Sequence, residues 1–339
     1  MEKMLLGRTG LEISYMGFGA LPLQRTGMDE ATAILHKAYE GGITFYDTAR
    51  AYTDSEEKIG RALSAVRQQV IIATKGKPVN REEFFQSLET SLRNLRTDYV
   101  DIWQFHYAKE VPRPGDGSGL YEAMLEARQQ GKIRFIGISA HARHIALEAI
   151  DSGLYDTVQY PLSLISNEDD LHLAALCQQR NVGLIAMKAL SGGLVKNIAV
   201  AYAFMRRYKN IVPIWGIEKM QELEEFLRLD AAPPQWSEAM DLAVDEERRQ
   251  LSGNFCRGCG YCLPCPADID LPLVARIGLA AQRMPPSIYA SEEWQAKVRK
   301  VPDCIECGQC AQRCPYELVT YELIKEQAAK YWAAQTLCV

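Results

Sequence analysis

The chain has 339 residues, 47% of them apolar and 24% charged, which gives room for about two domains and a large core. Lys and Arg number 38 against 43 Asp and Glu, and the net charge of −5 excludes a basic nucleic-acid footprint or a polybasic membrane face. No apolar run reaches the ~20 residues needed to cross a bilayer, and Met1–Gly10 lacks the apolar centre of a signal peptide, so a cytoplasmic protein with no nucleic-acid or membrane partner is expected.

Met4–Leu6 and Leu11–Ile13, joined by Gly7-Arg8-Thr9-Gly10, read as a small hairpin that plugs one end of a larger body. Short runs rich in β-branched and aromatic residues then alternate with amphipathic stretches. The runs are Tyr15–Gly19, Ile43–Asp47, Val70–Lys75, Val100–His106, Phe135–Ser139, Thr157–Tyr160, Gly183–Lys188 and Val212–Gly216. Helical spacing marks Asp29–Glu40, Arg81–Leu95, His144–Ser152 and Asp169–Gln179 between them, and Gly41, Gly131 and Gly153 fall near helix ends. Eight such alternations predict a parallel sheet covered by helices. An open doubly wound sheet needs a Gly-x-Gly-x-x-Gly turn, which Gly17-Phe18-Gly19-Ala20-Leu21-Pro22 does not supply, so an α/β (β/α)8 TIM barrel over residues 1–230 is expected. Ala231-Ala232-Pro233-Pro234 reads as a linker. A charged helix over Ser237–Leu251, a cysteine-rich stretch to about Tyr316 and a last helix over Val319–Ala334 complete a second, mainly helical domain over 231–339.

Cysteines carry the sharpest local signal. Cys256-x2-Cys259-x2-Cys262-x2-Cys265-Pro266 is one run and Cys304-x2-Cys307-x2-Cys310-x3-Cys314-Pro315 the other, the second with the spacing of bacterial ferredoxins. Thiolates at this spacing reach three corners of one cubane, while Gly258, Gly260 and Gly308 let the backbone come close to the sulfurs. Zinc also takes Cys-x2-Cys pairs, but it gives no reason for triplets followed by Cys-Pro, twice. Iron–sulfur is therefore the reading, and Cys177 and Cys338 are expected to be ordinary thiols.

The cysteine region resembles a two-cluster [4Fe–4S] ferredoxin-like module. In that family the fourth cysteine of each run serves the other cluster. The resemblance implies Cys256, Cys259, Cys262 and Cys314 around one cluster, and Cys304, Cys307, Cys310 and Cys265 around the second. The first run departs from the pattern at Leu263-Pro264, one residue short of the usual three.

Polar residues end three successive predicted strands: Asp47 the second, Lys75 the third and His106 the fourth, with Tyr52 in the loop after Asp47. Active sites of barrels gather at these carboxyl ends, so the four side chains should meet at one mouth. Singly, Asp47 reads as a turn cap, Lys75 as a solvated strand end and His106 as a core histidine. As a set they resemble the tetrad of the aldo-keto reductase family, carried by Gly42-Ile-Thr-Phe-Tyr-Asp47-Thr-Ala-Arg-Ala-Tyr52, by Ala73-Thr74-Lys75 and by the stretch from Ser91 to His106. With the cysteine tail, the chain resembles the iron–sulfur branch of that family.

The resemblance implies an oxidoreductase that interconverts a carbonyl and an alcohol by hydride transfer. A free tyrosine, with a pKa near ~10, is a poor proton donor at neutrality unless a cation lowers it. Lys75 would supply the cation, Asp47 would hold Lys75, Tyr52 would give the proton and His106 would orient the carbonyl. For a nicotinamide cofactor, NADP or NAD, the resemblance implies Ser139 and Gln159 at the carboxamide. Lys188 stands where the family has a stacking aromatic. Leu190, Ser191 and Gly192 are implied at the pyrophosphate, and Gly216, Ile217 and Lys219 at the last phosphate loop. Glu222 and Glu225 stand toward the adenosine, where the family carries a basic residue and an asparagine. Expected partners are a small carbonyl or alcohol and a ferredoxin or other redox protein. The competing reading is an iron–sulfur electron-transfer or interaction protein whose barrel has lost hydride chemistry.

Overall fold

A computed structural model describes residues 1–251, 255–258, 260–278, 290–314 and 316–336. It divides into two units. The first comprises Met1–Ala189 and Ala199–Met240, the second Leu190–Ile198 and Asp241–Val339. The division therefore falls beyond the expected 230/231 boundary. It also assigns to the second unit a segment from the middle of the chain that sequence order had placed in the barrel.

The first unit opens with an antiparallel pair, β1 (Lys3–Leu5) and β2 (Glu12–Ser14), around a 3-10 turn over Gly7–Thr9. Eight strands then close a parallel barrel: β3 (Gly17–Gly19), β4 (Phe45–Asp47), β5 (Ile71–Gly76), β6 (Val100–Phe105), β7 (Ile133–Ser139), β8 (Thr157–Pro161), β9 (Gly183–Met187) and β10 (Ile211–Gly216), with β10 pairing back onto β3. The helices between them are α1 (Met28–Glu40), α2 (Ser55–Leu63), α3 (Arg81–Leu95), α4 (Leu120–Gln129), α5 (Arg143–Ser152), α6 (Glu168–Gln179), α7 (Ile198–Arg206) and α8 (Met220–Ala231). The TIM barrel expected from the alternating pattern is the observed fold.

Local chemistry sets the helix starts. Asn80 accepts from Glu83 N–H at 2.9 Å to begin α3, and Asn167 accepts from Asp170 N–H at 2.8 Å to begin α6. The hairpin plugs one end of the barrel, as predicted, and the end is the one where the strands begin. Leu6, Leu11 and Ile13 are buried in one cluster with Phe45, Ile102, Ile185 and Val212 from the strands. Gly7 lies so close to the start of β9 that a Cβ there would stand 2.3 Å from Gly183 N, so no larger residue fits.

The second unit is helical, with segments over Leu271–Val274, Glu292–Arg299, Gln309–Gln312 and Thr320–Thr336. The helix Glu238–Gln250 leads into it, close to the charged helix expected at 237–251. Its small core gathers Ile269, Leu271, Val274, Val298, Ile324 and Tyr331 around the buried Cys256 and Cys310.

Candidate active site

Strand register builds the barrel site. Asp47 pairs with Ala73, Lys75 with Gln104, Gln104 with Gly137, and Ser139 with Gln159. Side chains alternate faces along a strand, so Lys75 shares a face with Ala73, His106 with Gln104, and Ser139 with Gly137. Each step around the sheet thus moves the inward polar residue toward the carboxyl ends, and the stagger of the barrel brings them to one end.

Lys75 Nζ donates to Asp47 Oδ1 at 2.6 Å and to Thr48 O at 2.7 Å, with Asp47 2% and Lys75 1% exposed. Burial lowers the Lys75 pKa against the opposing pull of Asp47, and burial raises that of Asp47 against the pull of Lys75, Gln159 and Gln104. Removing either partner would therefore strand a charge. Lys75 Nζ stands 5.2 Å from the centre of the half-buried Tyr52 ring, whose edge meets His106 with ring centres 5.7 Å apart at 88°. His106 is 5% exposed, and burial, reinforced by Lys75 and Lys77, holds its pKa well below the usual value. It is a neutral imidazole at pH 7, able to donate one hydrogen bond to a carbonyl without carrying charge. The structure brings together all four residues read from the sequence.

It also shows neighbours that the sequence reading missed. Gln104 Nε2 donates to Gln159 Oε1 at 2.8 Å and to Asp47 Oδ2 at 3.3 Å, and Gln159 Nε2 reaches Asp47 Oδ1 at 3.4 Å. Gly137 leaves room for this, since a Cβ there would stand 2.8 Å from Gln104 Cγ. His141 follows β7, is 5% exposed, and packs edge-on against Tyr107 with ring centres 5.1 Å apart. Lys77 lies 5.3 Å from the Tyr107 ring centre. Burial, with Lys188 and His106 next, lowers the His141 pKa well below its usual value. Two neutral histidines thus stand at the mouth where the sequence reading named one. The signal available was Ser139-Ala140-His141, at a strand end like Gln104-Phe105-His106.

The residues implied for the nicotinamide fall into two groups. Ser139 Oγ is fully buried with no hydrogen-bond partner among the described residues, and Gln104 Oε1 is in the same state. Orphaned buried polar atoms at the head of the barrel fit a carboxamide, which brings both a donor and an acceptor. Lys188, half-buried, directly follows β9 in the left-handed conformation at φ 58°. Gly216 ends β10 beside Gly19, the buried Ile217 donates to Gly19 O at 3.4 Å, and Lys219 is exposed at the start of α8. Glu222 has a different occupation: its Oε2 accepts from Glu218 N–H at 2.8 Å and from Lys219 N–H at 3.0 Å, capping α8. Glu225 is half-buried one turn further on.

Leu190, Ser191 and Gly192 belong to the second unit. Ser191, Gly192 and Gly193 are successively left-handed, and the N–H groups of Gly193, Leu194 and Val195 turn inward onto Leu190 O at 2.9 to 3.2 Å. In the same unit Cys265, Cys304, Cys307 and Cys310 line one hollow with Cys262. Among the described residues no three His, Cys, Asp or Glu converge as ligands of a single ion would; these cysteines ring a space instead. Burial raises the Cys310 pKa, and Cys304 and Cys307 add to it, a repulsion that a cationic iron–sulfur core relieves. Gly258 N–H points at Cys256 Sγ at 3.3 Å. Cys314 is half-buried against the unit's core. Cys259, Pro315 and Cys338 lie outside the described residues.

Residues 15–198 match the model of the aldo/keto reductase family, more than half of the chain. The chain belongs to the aldo/keto reductase family. Residues 255–319 of this family member match a 4Fe–4S dicluster domain, so the barrel is an oxidoreductase fold carrying an iron–sulfur module. An L-galactose dehydrogenase of Arabidopsis thaliana is 33% identical over 214 residues, covering 58% of this chain and 67% of that protein. The aldo-keto reductase YhdN of Bacillus subtilis is 31% identical, covering 58% and 64%. The chain thus spans about two thirds of the length of these curated relatives. A thermostable aldo-keto reductase solved with the inhibitor epalrestat superposes with a TM-score of 0.61 at 28% identity, covering 73% of this chain and all of that one. An aldo-keto reductase of Bacillus halodurans gives 0.65 at 22% identity, covering 73% and 96%. Among the described residues no helix is long and apolar enough to cross a membrane.

Proposed function

We propose that this aldo/keto reductase interconverts a small carbonyl and its alcohol by hydride exchange with NADP or NAD, and that its second unit carries two [4Fe–4S] clusters. The observation that carries the reading is the buried Lys75–Asp47 pair standing beside Tyr52 and His106. When the carbonyl accepts hydride, its oxygen becomes an alkoxide and needs a proton. Tyr52 gives that proton, the Lys75 cation offsets the phenolate left behind, and Asp47 fixes Lys75. His106, neutral, donates a hydrogen bond to the same oxygen and sets which face of the carbonyl is presented. Bound nicotinamide supplies the hydride. Ser139, Gln159 and Lys188 would hold its ring end, Leu190, Ser191 and Gly192 its pyrophosphate, and Gly216, Ile217 and Lys219 the further phosphate. Glu222 is given to the helix cap, so of the two glutamates only Glu225 is left for the adenosine. The clusters would be held by Cys256, Cys259, Cys262 and Cys314, and by Cys304, Cys307, Cys310 and Cys265. Cys265 shares a hollow with Cys304, Cys307 and Cys310, which supports the exchanged fourth ligand, although Cys262, given to the other cluster, lines it too. Clusters move single electrons, so a ferredoxin-like redox partner is the fitting partner class.

A second reading, an electron-transfer protein without hydride chemistry, draws on Gln159. Its amide is engaged by Gln104 and Asp47, where a carboxamide partner should be open. Anaerobic titration with NADPH and NADH, followed by nicotinamide fluorescence, separates the two. Binding, followed by oxidation on adding methylglyoxal or an aldose such as galactose, supports the reductase. Redox-active clusters in a protein that binds neither nucleotide would leave the second reading.

A further inference from the structure

Arg276 occupies an unusual position inside the second unit. Its Nη2 donates to Gly192 O at 2.9 Å, in the segment between β9 and α7. Its Nη1 lies over Gly258, where a Cβ would meet it at 2.0 Å, so only glycine lets the guanidinium sit against the first cysteine run. Gly192 itself approaches that run closely: a Cβ there would stand 2.5 Å from Arg257 O. Arg276 Nε is buried with no hydrogen-bond partner among the described residues. Gly258, against which Nη1 lies, points its N–H at Cys256 Sγ at 3.3 Å, so the guanidinium stands near that sulfur; burial works against the charge on Arg276 and a negative Cys256 works in favour. The adjoining Arg257 is spent elsewhere, its guanidinium 4.4 Å from the Tyr316 ring centre and 4.5 Å from that of Phe255.

We infer that Arg276 is a positioning residue that couples the charge of the cluster held by the first cysteine run to the conformation of the 190–198 segment. One guanidinium donates to Gly192 O and lies against Gly258, whose own N–H points at Cys256 Sγ, so it answers to a carbonyl and to a cysteine run with opposite demands. Gly192 O is a neutral carbonyl whose hydrogen bond fixes a left-handed stretch. The Cys256 thiolate, as a cluster ligand, becomes more negative when the cluster takes up an electron. A cation beside the sulfur favours that electron, so Arg276 raises the reduction potential of this cluster relative to the other. By the same interaction, reduction draws the guanidinium toward sulfur and weakens its hold on Gly192. The inference takes the clusters from the dicluster domain and needs no nucleotide. Its consequence for nucleotide affinity rests on the proposed role of Leu190, Ser191 and Gly192.

The test compares wild type, Arg276→Gln and Arg276→Lys in the full-length, cluster-loaded protein. Midpoint potentials are read by EPR-monitored titration with dithionite, and amide hydrogen exchange is read over residues 190–198 in the oxidised and reduced protein. In Arg276→Gln one cluster's potential should fall, by an amount equal to a change of about tenfold in its oxidised-to-reduced ratio at fixed potential, about 59 mV for one electron. The other potential should hold, and the 190–198 amides should exchange at least ~10-fold faster whatever the redox state. Arg276→Lys, which keeps the charge and loses the fork, should restore the potential but not the protection. In wild type, reduction alone should speed exchange in the segment. An unchanged potential in Arg276→Gln with full iron would overturn the inference, as would a wild-type segment blind to reduction. If Arg276→Gln loses iron, Arg276→Lys decides alone: a wild-type potential with lost protection supports the coupling, and wild-type behaviour in both refutes it. Failure of wild type to bind NADPH or NADH would sink the proposed reductase and leave these two readouts intact.

Discussion

The two units position their chemistry by different means. In the barrel, Asp47, Lys75, Gln104 and Ser139 lie on strands whose pairing fixes them in register, and His106 hangs from Gly76 O through its N–H at 2.7 Å. That scaffold is held by the barrel's own strand pairing and hydrogen bonds. In the second unit the described cysteines sit on turns and a four-residue helix, with Cys307 exposed, Cys310 buried and Cys304 between the two. Its core is small, and the thiols that face each other repel once ionised. A site on paired strands is prefolded, whereas a site on short loops is finished by what it binds.

Removing the clusters should break that comparison open most widely. Anaerobic chelation of iron should abolish hydrogen-exchange protection in the described parts of 255–336 while leaving β3–β10 protected. Equal loss in both units would mean that the barrel is not self-sufficient. Tyr52→Phe comes next. It keeps the ring and removes the proton, so carbonyl reduction should fall roughly 10²–10⁴-fold with iron content and melting unchanged. Near-full turnover would remove Tyr52 from the chemistry.

Asp47→Asn probes the prefolded site through stability. It leaves Lys75 charged and buried against Thr48 O and an amide, and should cost about 3–5 kcal/mol in urea unfolding of the barrel. Lys75→Met in the same background should recover much of that loss, since the stranded charge goes. Acid should act more gently. His106 and His141 have folded-state pKa values below their unfolded value near ~6.5, so the unfolded chain takes up protons that the folded one refuses. Stability is then flat above pH ~6.5 and falls below it, by up to about 1.4 kcal/mol per pH unit for each histidine. Unfolding midpoints from pH 7.5 to 5.0 should bend near 6.5, and His141→Gln should roughly halve the slope; a straight line would contradict the buried neutral assignment.

The barrel was legible because its signals are local. The runs ending in Asp47, Lys75 and His106 carry their chemistry at the strand ends, and one unit of spacing between them is what a βα repeat requires. The cysteine runs were legible for the same reason, since Cys304 to Cys314 fit one cluster pattern by spacing alone. Gln104 was invisible because its partners, Asp47 and Gln159, lie across the barrel and far along the chain. Tyr15, read as part of the first strand, precedes β3, and its hydroxyl donates to Met205 O with Tyr208 O at 3.1 Å, again distant partners. The 190–198 segment belongs to the second unit through Arg276 and Glu247, whose Oε1 accepts from Lys196 N–H at 2.9 Å. Nothing in the strand–helix alternation could reveal that. Glu222 was placed by analogy at the adenosine, and only the cap hydrogen bonds disclose its other role.

The central claim is that two electrons pass as hydride within the barrel, without travelling singly through the clusters. Reduction of methylglyoxal, or of another carbonyl found active, with nicotinamide nucleotide carrying deuterium at C4 tests it directly. Deuterium found at the new carbinol carbon, in amounts matching turnover and independent of cluster content, is the predicted result. Product formed with hydrogen from solvent at that carbon, and only when the clusters are present, would contradict the account.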